Sequence, residues 1–349
     1  MNKSSITVSI VIPMRNEEKY IGRCLESILV NDFPKEELEI LVADGRSTDR
    51  SREIVAGFAS RYPQIRLIDN AKQIVPPGLN TAIRESAGRY IVRMDAHSEY
   101  PPNYISACVQ ELSNGTADVV GGRLITRAGA ETVSAQAIAL LSQHPFGVGN
   151  SGFRLGWQGR YVDTVPFGAF RREIFDRVGL FREGLVRHQD FEMNARIRRA
   201  GGKIFLSPAI FLNYYNLPTV PKLLARGFRD GLWVGRAWMR YPITFCWRHC
   251  APLALFSGIL LPLLLGKFIH GASIVSILIV GLYLTLMLVS SLQVAMRHGL
   301  RIFAVLPALF LAFHAVCAIG IVSGLATGFK IPKEHAMTAS EPVSVPEAA

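Results

Sequence analysis

Four short stretches of the chain concentrate side chains able to do chemistry. They are Met14-Arg15-Asn16-Glu17-Glu18, Ala43-Asp44-Gly45-Arg46-Ser47-Thr48-Asp49, Met94-Asp95-Ala96-His97 and His188-Gln189-Asp190. Carboxylates and imidazoles are the groups with which a protein binds a divalent cation or exchanges a proton near neutral pH. Two common nucleotide sites lack their residues. No GxGxxG follows the first expected strand, and no GxxxxGK[ST] occurs anywhere, which argues against a dinucleotide enzyme or a P-loop NTPase. A nucleotide site on this chain would have to use acidic residues and a metal. The five cysteines (Cys24, Cys108, Cys246, Cys250 and Cys317) are odd in number and form no CxxC pair. Neither a disulfide framework nor a zinc site is expected, and a reducing compartment fits the globular part.

The elements that must position these residues follow from the hydrophobic pattern. Residues 6–13 form a β-branched run ending at Pro13, which reads as a buried first strand and not as a signal peptide. An amphipathic helix follows over 17–29. Strand Leu38–Ala43 runs into Asp44 and is followed by helix 50–61. A short strand at 65–69, a Pro76-Pro77-Gly78 turn and helix 79–87 come next. Strand Arg89–Met94 then runs into Asp95. Strands alternating with helices predict an α/β fold with a parallel, doubly wound sheet. In such sheets ligands sit beyond the carboxyl ends of the strands, where Pro13, Asp44 and Asp95 all fall.

The 349 residues are 50% hydrophobic and only 19% charged, with a net charge of +11. The mean hydropathy of +0.25 is too high for an ordinary soluble protein. The excess lies at one end. Residues 251–349 hold five Lys/Arg and three Asp/Glu, which leaves +9 of the +11 in residues 1–250. Three apolar segments, 251–269, 272–295 and 302–326, approach the ~20 residues that cross a bilayer as a helix. The first contains Pro262 and ends at Lys267, so a re-entrant or interfacial helix is its alternative. Arg226, Arg229, Arg236, Arg240 and Arg248 precede these segments, and Arg297 and Arg301 lie between the last two. The positive-inside rule then expects three spans, with the globular part cytoplasmic. The tail, 330–349, is expected to be disordered. Without acidic residues inside the spans, an anchor is expected in preference to a transporter.

The four motifs also carry a resemblance. VSIVIPMRNEE at 8–18, ADGRSTD at 43–49, MDAHSEYP at 94–101 and HQDFEMNARIRRAGG at 188–202 resemble the inverting family 2 glycosyltransferases. The set is similar to the bacterial exopolysaccharide glucosyltransferases of the succinoglycan type and covers about residues 6–240 in order. The resemblance implies a GT-A fold, a Rossmann-like nucleotide-diphospho-sugar transferase domain over 1–245, followed by a transmembrane anchor over 246–329.

The resemblance also implies roles. Asp95 stands at the start of the family's Asp-X-Asp, where a carboxylate binds Mn²⁺ or Mg²⁺ bridging the donor diphosphate. His97 replaces the second carboxylate, which leaves the identity of the metal open. Asp44 matches the position that hydrogen-bonds uracil or ribose, with Ala43 in place of the usual preceding Asp and Arg46 inserted after Gly45. Pro13, Arg15, Asn16 and Glu17 would shape the same pocket, and Glu17 would touch the donor. Asp49 reads better as a cap for the next helix. Asp190 matches the general base of the family's Glu-Asp pair, Gln189 replacing the Glu. Asp190 could equally cap a helix over 191–200, and the two roles are compatible. His188 is either an acceptor contact or a surface residue. The loop 144–170 is rich in Gly and aromatics and lacks a helical period. Trp157, Phe167 and Gly168 would be its acceptor-side contacts.

The implied function is addition of one hexose, glucose from UDP-glucose, to a polyprenyl-diphosphate-linked oligosaccharide at the bacterial inner membrane. The stretch Arg226 to Trp233 lacks the Gln-x-x-Arg-Trp spacing of processive synthases, which favours one sugar per visit. The arginines there are either the positive-inside flank or a site for lipid phosphate. Alternatives are a polyprenyl-phosphate sugar synthase and a non-catalytic membrane scaffold. Nucleic acid is not an expected partner, because no binding signature accompanies the basic charge.

Overall fold

A computed structural model describes residues 6–157 and 159–328. The expected tail, 330–349, lies outside the described residues. The chain divides into two compact units, one of residues 6–123 and 159–212, the other of residues 124–157 and 213–328. The helix Val220–Arg240 groups with the apolar helices that follow it.

The strands in chain order are β1 (Val8–Met14), β2 (Leu38–Asp44), β3 (Ile65–Asp69), β4 (Tyr90–Arg93), β5 (Ser98–Glu99), β6 (Val119–Arg127), β7 (Arg160–Tyr161), β8 (Ala169–Arg171) and β9 (Ile204–Tyr215). They form one sheet in the order β3-β2-β1-β4-β8-β6-β9-β5, with β7 on β9. The first four are parallel, and β8 runs antiparallel to β4. Every residue of β1 and β2 is buried, which is why both read as unbroken apolar runs. The register is flush at the carboxyl ends: Met14 pairs with Asp44, and Asp44 with Asp69. Arg93 pairs with Val11. Pro13 therefore lies inside β1, opposite Ala43, and not beyond its end.

Three local expectations shift. The helix after β1 starts at Ile21 rather than at 17, because residues 16–18 are held by the segment after β2. The expected Pro76-Pro77-Gly78 turn is the first turn of the helix Val75–Glu85. Proline is tolerated there because the first N–H groups of a helix have no intrahelical partner. Gly78 is needed for close approach, since a Cβ would lie 2.8 Å from Asn70 Nδ2. The loop 144–170 is also less irregular than its sequence, containing one-turn helices at Pro145–Val148 and Gly152–Leu155.

In the second unit, three helices are long and apolar enough to cross a membrane: Trp247–Leu265, Ala272–His298 and Leu306–Thr327, the last preceded by a 3₁₀ turn. The first carries Pro252 and Pro262 within it. Leu306–Thr327 packs parallel to Val220–Arg240 through two glycine series. A Cβ on Gly231 would lie 2.3 Å from Cys317 O, and one on Gly235 2.3 Å from Ile321 O. From the other side, a Cβ on Gly320 would lie 2.3 Å from Phe228 O and one on Gly324 2.2 Å from Leu232 O. Small residues every fourth position let two backbones touch, the packing that favours helix association where no hydrophobic drive exists. Replacing Gly231 by Leu should therefore lower the melting temperature of the detergent-solubilised protein, with overpacking costing about 1–3 kcal/mol. Gly281→Ala, at a helical glycine with nothing within 4 Å, should leave it unchanged or raise it.

Candidate active site

The loops after β1 and β2 are laced to one another. Asn16 N–H donates to Ser47 Oγ at 2.9 Å, and Asn16 Oδ1 accepts from Thr48 N–H at 2.8 Å. Glu17 N–H donates to Ser51 Oγ at 2.7 Å and Glu18 N–H to Asp49 Oδ2 at 3.1 Å. Asp49 also accepts from the N–H and hydroxyl of Ser51, so its carboxylate builds the turn into the helix Ser51–Ala59. The expected cap is thus shifted: Arg50 holds the N-cap position without a side-chain capping bond, and Asp49 acts one residue earlier. Arg15 is exposed and donates from Nη1 to Gln73 O at 3.3 Å.

Asp44 is fully buried at the end of β2. Its Oδ1 accepts from Ser47 Oγ at 2.5 Å, and its Oδ2 receives Arg52 Nη1 at 2.5 Å. Arg52 also lies 3.9 Å from Asp69 at the end of β3, which in turn pairs with Arg46 at 3.4 Å. The Asp44 carboxylate is thus engaged from within the protein.

Asp95 lies two residues beyond Arg93, the end of β4, and faces the loop after β1. His97 Nδ1 lies 3.3 Å from Asp95 Oδ1 and 3.3 Å from Glu17 Oε1, so residues from two strand ends meet on one imidazole. The backbone of Asp95 is fixed from below. Its N–H donates to the Tyr100 hydroxyl at 2.6 Å, and Cys24 Sγ donates to its carbonyl at 3.5 Å. Burial, followed by nearby acidic groups, pushes the Cys24 thiol up. Burial also raises the Tyr100 phenol, with Cys24 the next cause. Both groups stay neutral and serve as hydrogen-bonding struts. Among the described residues no three His, Cys, Asp or Glu side chains are arranged to hold a metal ion.

Asp190 lies in the first turn of the helix Gln189–Arg199 and is not its N-cap, a position held by His188 without a side-chain capping bond. A carboxylate there is favoured by the helix dipole. Its partner is Arg93, the last residue of β4, whose Nη1 donates to Asp190 Oδ1. The Arg93 side chain is 6% exposed and that of Asp190 31%, so the ion pair shows its carboxylate to solvent and hides its guanidinium. The Phe167 ring covers Arg93, with 5.3 Å from guanidinium carbon to ring centre. Gly168 accepts from Arg93 N–H at 3.2 Å, and a Cβ on it would lie 2.9 Å from Val119 Cγ1. Gly168 is therefore small for packing against the sheet. His188 stacks on Phe191, and Gln189 is buried. Trp157 belongs to the second unit, where its ring lies against Gly152.

Residues 9–179 match the family described as glycosyl transferase family 2. The chain carries a family 2 glycosyltransferase domain. Over 327 residues it is 26% identical to the dolichyl N-acetyl-alpha-D-glucosaminyl phosphate 3-beta-D-2,3-diacetamido-2,3-dideoxy-beta-D-glucuronosyltransferase of Methanococcus voltae, covering 92% of this chain and 98% of that protein. Over 254 residues it is 28% identical to the succinoglycan biosynthesis protein ExoA of Rhizobium meliloti (strain 1021), covering 72% and 76%. Among solved structures, the mannosyltransferase PcManGT from Pyrobaculum calidifontis, in complex with GDP-Man and Mn²⁺, superposes with a TM-score of 0.58 at 19% identity. That match covers 89% of this chain and 86% of the other. The likeness establishes the GT-A type of fold.

In this glycosyltransferase the described non-glycine residues with positive φ are Asn16, Arg46, Gln73, Phe167 and His188. The left-handed conformation costs about 1–2 kcal/mol per such residue. The first three follow β1, β2 and β3, Phe167 precedes β8 and His188 precedes Asp190. Strain is thus gathered on the loops that carry the candidate residues, the pattern expected where function imposes geometry.

Sequence reasoning missed Arg93, whose partner lies 97 residues away, and also Arg52 and Glu192, whose partners are near in sequence but whose buried carboxylates carry no local signal. Glu192 is fully buried between Arg182 Nε at 2.7 Å and Arg196 Nε at 2.8 Å. Arg196 also donates to the carbonyls of Val178, Gly179 and Leu180. This triad fixes the helix that presents Asp190. Cutting Glu192 to Ala leaves two partly buried guanidinium groups without their shared carboxylate and should destabilise the protein by about 3–5 kcal/mol in denaturant unfolding. Glu53→Ala, which breaks the exposed pair with Arg50, should leave the unfolding midpoint unchanged.

Proposed function

We propose that this glycosyltransferase adds one hexose, glucose from UDP-glucose, to a polyprenyl-diphosphate-linked oligosaccharide in exopolysaccharide assembly. The observation that carries the reading is a division of labour around the end of β4. Asp190 is held there by Arg93 with its carboxylate turned to solvent, and the next turn groups Asp95, His97 and Glu17. An inverting transfer needs these two functions apart: one carboxylate to take the acceptor proton, another set to meet the donor diphosphate. Asp190 is the general base in this reading, and Arg93 is a positioning residue for it. Asp95 and His97 would hold Mn²⁺ or Mg²⁺. Their oxygen and nitrogen, 3.3 Å apart, fit adjacent positions on one ion, and an imidazole in the set favours Mn²⁺. Bound there, the ion would neutralise charge developing on the leaving diphosphate.

Pro13, Arg15, Glu17 and Asp44 form the donor side. Asp44 would reach a nucleoside by exchanging its contact with Arg52, whose side chain is partly exposed. Gln189, His188 and Gly168 are assigned to the acceptor side. The names of relatives support a lipid-linked acceptor, one acting on a dolichyl-linked sugar and another belonging to succinoglycan biosynthesis. The three apolar helices anchor the chain in the cytoplasmic membrane, with the transferase domain facing the nucleotide sugars of the cytoplasm.

Purified full-length protein should transfer labelled glucose from UDP-glucose to a polyprenyl-diphosphate oligosaccharide. Product from bare polyprenyl phosphate alone would refute this acceptor. Asp190→Asn should lower kcat by about 10²–10⁴ while UDP affinity is kept, and unchanged turnover would reject the base. Asp95→Ala should weaken UDP binding and abolish its dependence on Mn²⁺ in calorimetric titration. Wild-type binding of UDP that is indifferent to metal would remove the bridging role.

A further inference from the structure

The path of the chain through the second unit limits which of its apolar helices can cross a bilayer. Leu306–Thr327 runs parallel to Val220–Arg240, and their contact reaches the last turn of both. Toward one end, a Cβ on Gly227 would lie 3.0 Å from the Phe313 ring. At the other, a Cβ on Gly328 would lie 2.6 Å from Met239 Cβ, and Arg236 Nε donates to Thr327 Oγ1 at 3.1 Å. The two helices therefore end side by side. From there residues 240–246, which include the 3₁₀ turn Pro242–Thr244, lead to the start of Trp247–Leu265. At full extension they reach at most about 25 Å, short of the ~30 Å of a hydrocarbon core. Trp247 thus starts on the side where Thr327 ends.

Residues 299–305, with a 3₁₀ turn at Leu300–Ile302, are equally short, so Leu306 starts on the side where His298 ends. Together these constraints forbid three crossings. If Trp247–Leu265 and Ala272–His298 both cross, the chain at Leu306 is back on the side of Trp247. Thr327 shares that side, so Leu306–Thr327 begins and ends on the same face.

Charge selects this count over the others. Arg240 and Arg248 flank the start of the first apolar helix, and Arg297 and Arg301 the end of the second, which holds both ends on one side. Only Lys267 stands among the Lys and Arg of the turn between them. The helix packed on Leu306–Thr327 supplies a second reason. Gly231 meets Cys317 midway, so a crossing there would carry Arg229, Asp230 and Arg236 into hydrocarbon, which is strongly unfavourable. In the interface the same pair is well suited. Leu311, Ile319 and Val322 form one exposed apolar stripe, and Arg229 is exposed on the partner helix. The first suits the acyl boundary and the second the head groups.

We propose that Val220–Arg240 and Leu306–Thr327 lie together in the membrane interface, and that Trp247–Leu265 and Ala272–His298 alone cross the bilayer. The chain then leaves Gly328 on the side from which it entered. Composition and the positive-inside rule predict three spans; the folded path reduces them to two. Naming the side of return as cytoplasmic rests on the transferase reading given above, whereas the return itself does not.

The test uses the full chain in bacterial cells, fused to green fluorescent protein, which fluoresces in the cytoplasm, or to alkaline phosphatase, which is active outside it. Residues 329–349 contain no apolar run long enough to cross, so a fusion after residue 349 reads the side of Gly328. Fusions there and before residue 1 should both fluoresce and show no phosphatase activity. Phosphatase activity at the C-terminal fusion alone would restore the third crossing and overturn the proposal. Activity at both ends would refute the cytoplasmic reading and leave the return standing. Phe268→Cys, in the exposed turn between the crossing helices, should react with a membrane-impermeant maleimide in intact spheroplasts. The wild type, with partly exposed Cys246 and Cys250 at the start of the first helix, should react only after lysis. Protection of Phe268→Cys until lysis would overturn the two crossings. In nanodiscs, the added fluorescence of Ile319→Trp should be quenched by lipid brominated near the head group and spared by bromine at the bilayer centre. Strongest quenching at the centre would overturn the interfacial placement.

Discussion

Arg93 is a buried cation at the end of a central parallel strand, and a guanidinium in that position has to be neutralised from close by. Much of the proposed site can be read as the answer to that requirement. β4 is the last strand of the parallel run, so it meets antiparallel β8 on its other side. That junction brings Phe167 and Gly168 onto Arg93, one covering its plane and the other accepting its N–H. The remaining need is for a carboxylate, which the first turn of the helix Gln189–Arg199 supplies as Asp190. The helix is in turn held by a second buried ion cluster, Glu192 with Arg182 and Arg196. One ion pair and one three-membered ion cluster thus set where one carboxylate stands.

The rim on the other side of β4 is built by different physics. Flush register among β1, β2 and β3 delivers their loops to one level, and hydroxyl and carboxylate caps then stitch the loops together. Residues that read as chemical in the sequence divide there into two kinds. Asp49, Ser47 and Ser51 are spent on holding the backbone, and Asp44 is buried under Arg52. Glu17, Asp95 and His97 keep their polar ends toward one another and toward solvent, each being partly exposed.

The second unit obeys a third constraint. A helix rich in arginine lies along an apolar one, and glycines at every fourth position remove the side chains that would keep the backbones apart. The same helix carries Arg226 against Tyr214 and Arg154, so the packing that brings the helices together also concentrates positive charge.

Hydrophobic periodicity made the α/β alternation legible, because strand and helix periods are local properties of ten or so residues. β3 matches its expected bounds, and β2 differs only by including Asp44. Composition likewise made the three apolar helices legible, since a bilayer sets their length. The motif residues Glu17, Asp95 and His97 could be picked out because residue type and strand end coincide. Arg93 could not: its partner lies 97 residues away, and among many arginines nothing local distinguishes the one that is buried. Glu192 was hidden for another reason: its arginines are near in sequence, and only folding shows that the carboxylate is buried between them. The sequence by itself thus determined the class of fold, the apolar end and which acidic stretches come to the strand ends. Only the tertiary structure decided which carboxylates are left facing solvent and which are paired within the protein, because charge balance at a buried point is a sum over residues that meet only after folding.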